Sequence, residues 1–246
     1  MKSTAYKRRF YRNWIKEKDL ILSRVKIRET DLQILTDKPI NEEYIREKVA
    51  ILRRDIEGYI EKDRRFLTSL KPIAVELNAR PIIKSMSQAS RKANVGPMAA
   101  VAGAIAEDLG KDLLNKGMKE VIIENGGDIF LKTKKTRYVG IYAGKSRLLS
   151  HKLFVRVDPE DSPLGICTSS GTVGHSLSFG KADAVIILAK NAAFADAAAT
   201  ACANLVNSKE DFPKAMDFAR KIRAVRGIII ILNNNIACWG RIEFAK

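Results

Sequence analysis

Two stretches of this chain are built almost wholly from small residues. Met98-Ala99-Ala100, Ala102-Gly103-Ala104 and Ala106 form the first, and Ala195-Asp196-Ala197-Ala198-Ala199-Thr200-Ala201 the second. Small side chains on several faces let a helix backbone come very close to a neighbouring sheet or ligand. The rest of the chain must therefore supply surfaces on which two such helices can lie.

Those surfaces are legible as short apolar strands. Val121–Ile123, Ile129–Leu131, Tyr138–Tyr142 and Leu153–Val157 read as strands, and Ala184–Leu188 as a buried one. Gly227–Leu232 and Ile236–Trp239 read as a terminal hairpin across Asn233-Asn234-Asn235, because asparagine tolerates positive φ. Alternation around Val25, Ile27, Leu32, Ile34 and Leu35 predicts a further hairpin near the N-terminus. Asn41 is placed to cap a long helix whose stripe is Ile45, Val49, Leu52, Ile56 and Tyr59/Ile60. Ile82–Ala93 and Ala215–Arg223 read as shorter helices, and Gly96-Pro97 as the opening of the first small-residue helix. Strands and helices mix without regular βαβ alternation. That pattern predicts an α+β fold, with mixed sheets packed against the small-residue helices.

The chain has 246 residues, 46% of them hydrophobic, enough to bury a large core and to exclude a disordered polyelectrolyte. We read residues 1–40 as a basic segment of strands and 41–246 as one domain. Three cysteines without regular spacing and two histidines exclude a disulfide framework and a four-cysteine zinc site. No apolar run reaches the ~20 residues a membrane-spanning helix needs. The basic N-terminus lacks the apolar region of a signal peptide. The expectation is a cytoplasmic protein with reduced thiols and no membrane contact.

Half of the net charge of +16 lies in the first 28 residues, where ten basic side chains face only Glu17 and Asp19. Phe10, Tyr11 and Trp14 are interleaved with them. Such a segment can bind single-stranded nucleic acid, or it can simply be a soluble edge hairpin. No nucleic-acid fold signature follows it, and the edge hairpin is the preferred reading.

Three stretches carry candidate chemistry. Asn125-Gly126-Gly127-Asp128 reads as a tight turn or as a backbone cradle for a ligand. Gly165 to Ser176 gathers glycines, hydroxyls, Cys167 and His175, a composition suited to phosphate or carboxylate recognition, or to a surface loop. It does not match the Walker spacing. Asp196 and Thr200 are four apart on one helix face, so carboxylate and hydroxyl can hold a hard cation such as Mg²⁺ if substrate phosphates complete the shell. Alternatively, Asp196 serves its own helix as a cap.

In this order the marks resemble the ApbE-like family, and in particular a short, uncharacterised subgroup of it. They are Gly96-Pro97-Met98-Ala99-Ala100, Asn125-Gly126-Gly127-Asp128, Thr168-Ser169-Ser170-Gly171 followed by His175, then Asp196 and Thr200. The resembling region runs from about Val95 to Leu205. The resemblance implies an ApbE-type α+β fold and a flavin-nucleotide site, for FAD or FMN, with a divalent cation. Members of known activity move FMN from FAD to a threonine of a target protein. Their Mg²⁺-holding Asp and Thr map onto Asp196 and Thr200, with the Thr-Ser-Ser-Gly run and His175 beside the nucleotide. Val95-Gly96-Pro97 stands where the transferases usually have Lys-Gly-aromatic, and Ser176-Leu177-Ser178 follows His175 where they have Asp-Pro.

The expected function is binding of a phosphate-bearing ligand, a flavin or other nucleotide, with a divalent cation, in a transferase of unknown substrate. His175 is the candidate proton carrier. Gly96, Asn125, Gly126, Gly127, Asp128, Thr168, Ser169, Ser170 and Gly171 are the candidate ligand-binding residues. Cys167 is the alternative nucleophile, for sulfur transfer or redox chemistry, or else a buried core thiol. A third reading places function in the basic N-terminus as a nucleic-acid or partner-binding module. Small-residue helices and edge strands also allow a homodimer.

Overall fold

A computed structural model describes residues 19–141, 153–171 and 179–245. Its centre is an eight-stranded sheet. The strands are β1 (Ile21–Ile27), β2 (Thr30–Thr36), β3 (Val121–Asn125), β4 (Asp128–Lys132), β7 (Leu164–Ser169), β8 (Ala184–Ala189), β9 (Val225–Leu232) and β10 (Asn235–Gly240), in that spatial order. The remaining strands, β5 (Arg137–Gly140), β6 (Phe154–Val157) and β11 (Phe244–Ala245), form a second sheet in the order β11-β6-β5. The class is α+β, and every pairing among the described residues is antiparallel rather than mixed. β1 and β2 form one edge of the main sheet, with β2 paired to β3.

The main sheet is buried on both faces, which is why its central strands are continuous apolar runs. Val121 and Ile123 of β3, with Ile228 and Ile230 of β9, point into the helix layer. Ile122, Ile129, Ile229 and Ile231 point the other way, onto Val139, Val155 and Val157 of the small sheet. The molecule thus has three layers: helices, large sheet, small sheet.

The helices are α1 (Glu42–Lys62), α2 (Arg65–Thr68), α3 (Pro81–Ala93), α4 (Val101–Asn115), α5 (Ala192–Ala203) and α6 (Phe212–Arg220). Asn41 caps α1 as expected, accepting the Tyr44 amide at 3.2 Å, and Ile45, Val49, Leu52 and Ile56 are its buried stripe. Three expectations shift. The chain after Gly96 makes a 3-10 turn over Pro97–Ala100 before α4 begins at Val101. α5 begins at Ala192, with Asn191 accepting the Phe194 amide at 2.8 Å. The start of the Gly165–Ser176 stretch is not a surface loop: Leu164–Ser169 is a central strand between β4 and β8.

All twelve residues of α5 are buried. Its alanines lie flat on β7 and β8 and leave room for α3 and α4 on the other side. No helix among the described residues is long and apolar enough to cross a membrane.

Candidate functional site

The site grows from the crossing of the two small-residue helices. Gly103, in the first turn of α4, lies against α5 so closely that a Cβ there would overlap the Ala192 carbonyl oxygen and stand 2.9 Å from the Asp196 Cβ. This contact lets Asp196 Oδ2 accept the Gly103 N–H at 2.9 Å. The Ala102 amide also stabilises the carboxylate. Asp196 is therefore a cap for α4, not for its own helix. Its carboxylate faces the positive end of α4's dipole.

The β3–β4 turn closes over the same end of α4. Gly126 (φ +72°) and Gly127 (φ +104°) hold positive φ, which lets the chain reverse in two residues. Asn125 Nδ2 donates to the Ala102 carbonyl at 3.2 Å, and the Gly127 amide donates to Glu124 Oε1 at 2.8 Å. Just after the turn, Asp128 Oδ1 accepts the Thr168 amide of β7 at 3.2 Å. Cys167 Sγ donates to the Ala192 carbonyl at 3.3 Å, tying β7 to the start of α5. The turn reading of Asn125-Gly126-Gly127-Asp128 is realised, as the reversal between β3 and β4.

Two carboxylates meet in this buried cluster. Burial pushes Asp128 well above the usual carboxylate range, and the neighbouring charge of Asp196 adds to the effect. Burial likewise raises Asp196 to about 7, against the opposing pull of the Gly103 and Ala102 amides. Burial, then the charges of Asp128 and Asp196, raises the Cys167 thiol well above its ordinary value. That is the opposite of thiolate activation, and it favours the core-thiol reading of Cys167.

The donor set is oxygen. Thr200 is buried one turn beyond Asp196, and Ser169 is 4% exposed with an Oγ that has no hydrogen-bond partner among the described residues. A buried hydroxyl without a partner is costly unless something else satisfies it. Carboxylate and hydroxyl oxygens suit a hard cation, while the amides of Gly103, Gly127 and Thr168 are taken by Asp196, Glu124 and Asp128. Among the described residues no group of three or more His, Cys, Asp or Glu is arranged to hold a metal, so a cation here needs oxygens from a ligand.

The other candidate residues fall on either side of this cluster. Ser170 follows Ser169 off the end of β7, and the Gly171 amide donates to the Ala182 carbonyl at 3.0 Å. Gly96 packs against the backbone of Ser69 and Leu70. Gly103, not Gly96, is the glycine in contact with Asp196. His175 lies outside the described residues, as do Phe10, Tyr11 and Trp14. The sequence places Gly103 in a small-residue stretch but does not single it out as the partner of Asp196. A glycine early in an otherwise good helix was the available signal for it.

The AbpE bacteria family model matches residues 12–234. The chain belongs to this family. The match extends well beyond the Val95–Leu205 stretch that carries the motifs. A UPF0280 protein of Methanococcus aeolicus is 41% identical over 230 residues, covering 91% of each chain. Another, of Methanocaldococcus jannaschii, is 41% identical over 223 residues, covering 89% of this chain and 90% of the relative. The fold is that of the flavinyl transferase ApbE of Pseudomonas stutzeri, with TM-score 0.60 and 11% identity over 89% of this chain and 94% of that one. The flavin transferase ApbE of Vibrio cholerae matches with TM-score 0.60 and 14% identity, covering 89% and 96%. This AbpE-family chain therefore shares the architecture of flavin transferases while differing widely from them in sequence.

Proposed function

We propose that this AbpE-family protein binds a flavin nucleotide through its phosphates, together with a divalent cation, and acts as a transferase: an acceptor oxygen bonds to the flavin-side phosphorus of FAD, the FMN group passes to the acceptor, and AMP leaves from the broken P–O–P bridge. The observation that carries this reading is the convergence of Asp196, the α4 amides and the β3–β4 turn in one buried cluster of oxygen and amide groups. Asp196 and Thr200 would hold the cation, with Ser169 Oγ available to the cation or a phosphate oxygen. When bound, a divalent cation neutralises phosphate charge and polarises the phosphoryl oxygen.

The chain's own groups supply the remaining work. The Asn125 side-chain amide holds the Ala102 carbonyl, and Gly126 and Gly127 reverse the chain beside it. Asp128 orders the start of the Thr168–Ser170 segment by accepting the Thr168 amide. His175 remains our candidate for proton transfer, and a soluble cytoplasmic setting fits FAD as the donor.

Calorimetry of the purified protein with FAD, with and without Mg²⁺, tests the reading. FAD binding that requires Mg²⁺ and disappears in Asp196→Ala is expected. Equal FAD binding with and without Mg²⁺, or in Asp196→Ala, would refute it. AMP release on adding a protein or peptide acceptor would then establish transfer.

A further inference from the structure

The clamp between α4 and α5 has a second arm that the site chemistry does not use. Glu107 lies four residues after Gly103, on the same face of α4, and is 4% exposed. Its Oε2 accepts the Ala193 N–H at 3.1 Å, and its Oε1 accepts from Asn191 Nδ2 at 2.6 Å. Asn191 is the residue whose Oδ1 caps α5. Glu107 therefore holds both an N-terminal amide of α5 and that helix's cap. One turn further along α5, Asp196 reaches back and holds the Gly103 amide of α4. Each helix thus caps the other.

The surfaces between the two clamps are nearly featureless. Gly103 meets Ala192, and alanine and glycine present shallow ridges that set helix register weakly. Polar clamps must then fix how α5 sits along α4. We propose that Glu107 is the positioning residue of this site: by holding the start of α5 it sets the place of the Asp196 carboxylate. Its relevance to ligand binding rests on the cation role proposed above, but its effect on Asp196 is testable without any ligand.

Glu107→Gln keeps the size of the side chain and one carbonyl acceptor. Its NH₂ must face either the Ala193 N–H or Asn191 Nδ2, donor against donor. Asn191 cannot turn over to relieve this without releasing the Phe194 amide. The Lys111 ammonium, 2.5 Å from Glu107 Oε1, compensates this buried charge, so the control is Lys111→Arg, which keeps a cation beside the clamp.

Amide hydrogen exchange of the full chain without ligand decides the matter. Glu107→Gln should speed exchange of both the Ala193 and the Gly103 amides by about tenfold or more, with the β9 amides unchanged, as expected for local opening. Lys111→Arg should change neither amide. Faster exchange at Ala193 alone would overturn the proposal, because Glu107 would then cap its neighbour without placing Asp196. Should Glu107→Gln not fold, Asn191→Ser keeps a hydroxyl for the Phe194 amide and removes only the donor to Glu107. It should open Gly103 in the same way, and a protected Gly103 there would equally overturn the proposal. In parallel, Mn²⁺ titration should show an affinity about tenfold weaker in Glu107→Gln. If the parent protein takes up no Mn²⁺, the cation reading falls, while the exchange result still judges the positioning role.

Discussion

Asp196 Oδ2 and the Gly103 amide are 93 residues apart in sequence and 2.9 Å apart in space. That bond exists because position 103 has no side chain. A Cβ there would collide with the Ala192 backbone and crowd the Asp196 Cβ, neither of which can swing aside. Gly103→Ala should therefore push α5 away from α4 and lower stability by about 1–3 kcal/mol, the usual cost of overpacking. The midpoint of urea unfolding measures the first effect. Loss of Mn²⁺ uptake in the folded variant measures the displacement of Asp196.

Asp196→Asn should separate stability from function. The asparagine oxygen can still accept the Gly103 amide, and the repulsion with Asp128 is gone. Asp196 is raised to about 7 in the folded chain from an ordinary value of 3.8. Between those values the folded state holds a proton that the unfolded state has lost, so stability falls as pH rises from about 4 to 7 and levels above that. The variant should lack Asp196's share of this slope and keep the share that comes from Asp128, which burial also raises. It should be at least as stable as the parent at pH 8 and show no advantage at pH 4, while losing Mg²⁺-dependent FAD binding. Chemical denaturation at the two pH values, alongside calorimetry, checks all three statements.

Local patterns made much of the scaffold readable. The stripe of Ile45, Val49, Leu52 and Ile56 marked α1, and Asn41 marked its start, because both signals lie within one helix. The apolar run of β8 marked a buried strand, and that of β9 one arm of a hairpin; both are covered on both faces. Leu164–Ser169 was harder: Gly, Cys, Thr and Ser read locally as a loop, and pairing to β4 and β8 overrides that composition. The start of α4 was misplaced for a related reason. Asp196, a distant residue, caps its amides, and no window of sequence around Gly96 contains that cap. The site was legible as a set of motifs. The mutual capping through Glu107 was not, since a lone glutamate on a helix gives no sign of a partner on another helix.

Arg137 joins the small sheet to the main one. Its guanidinium is 2.8 Å from Glu120 Oε2, just ahead of β3, and 2.7 Å from Asp19 Oδ1. The Thr133 hydroxyl donates to the same Glu120 oxygen at 2.9 Å. Arg137, then Lys135, holds Asp19 well below the usual carboxylate range. Both Arg137 and Glu120 are buried, so Arg137→Met strands the Glu120 charge and should cost about 3–5 kcal/mol. Adding Glu120→Gln removes that stranded charge and should recover a large part of the loss. Urea unfolding of the two single variants and the double variant forms the cycle that tests this.

The three thiols should report on the chemistry of the site directly. Cys167 and Cys202 are buried, and Cys238 is exposed on β10. Burial raises Cys202 to about 12, and burial with two nearby carboxylates raises Cys167 well above its ordinary value. Alkylation proceeds through the thiolate, so neither buried cysteine should react at neutral pH. Iodoacetamide on the folded protein at pH 7.5, followed by peptide mass spectrometry, should give a single modification, at Cys238, and three after unfolding in urea. Rapid labelling of Cys167 in the folded state would mean that its thiolate is accessible, and would reopen a nucleophilic role for it beside Asp128. An inert Cys167 leaves its bond to the Ala192 carbonyl as its role: it pins β7 to the start of the helix that carries Asp196.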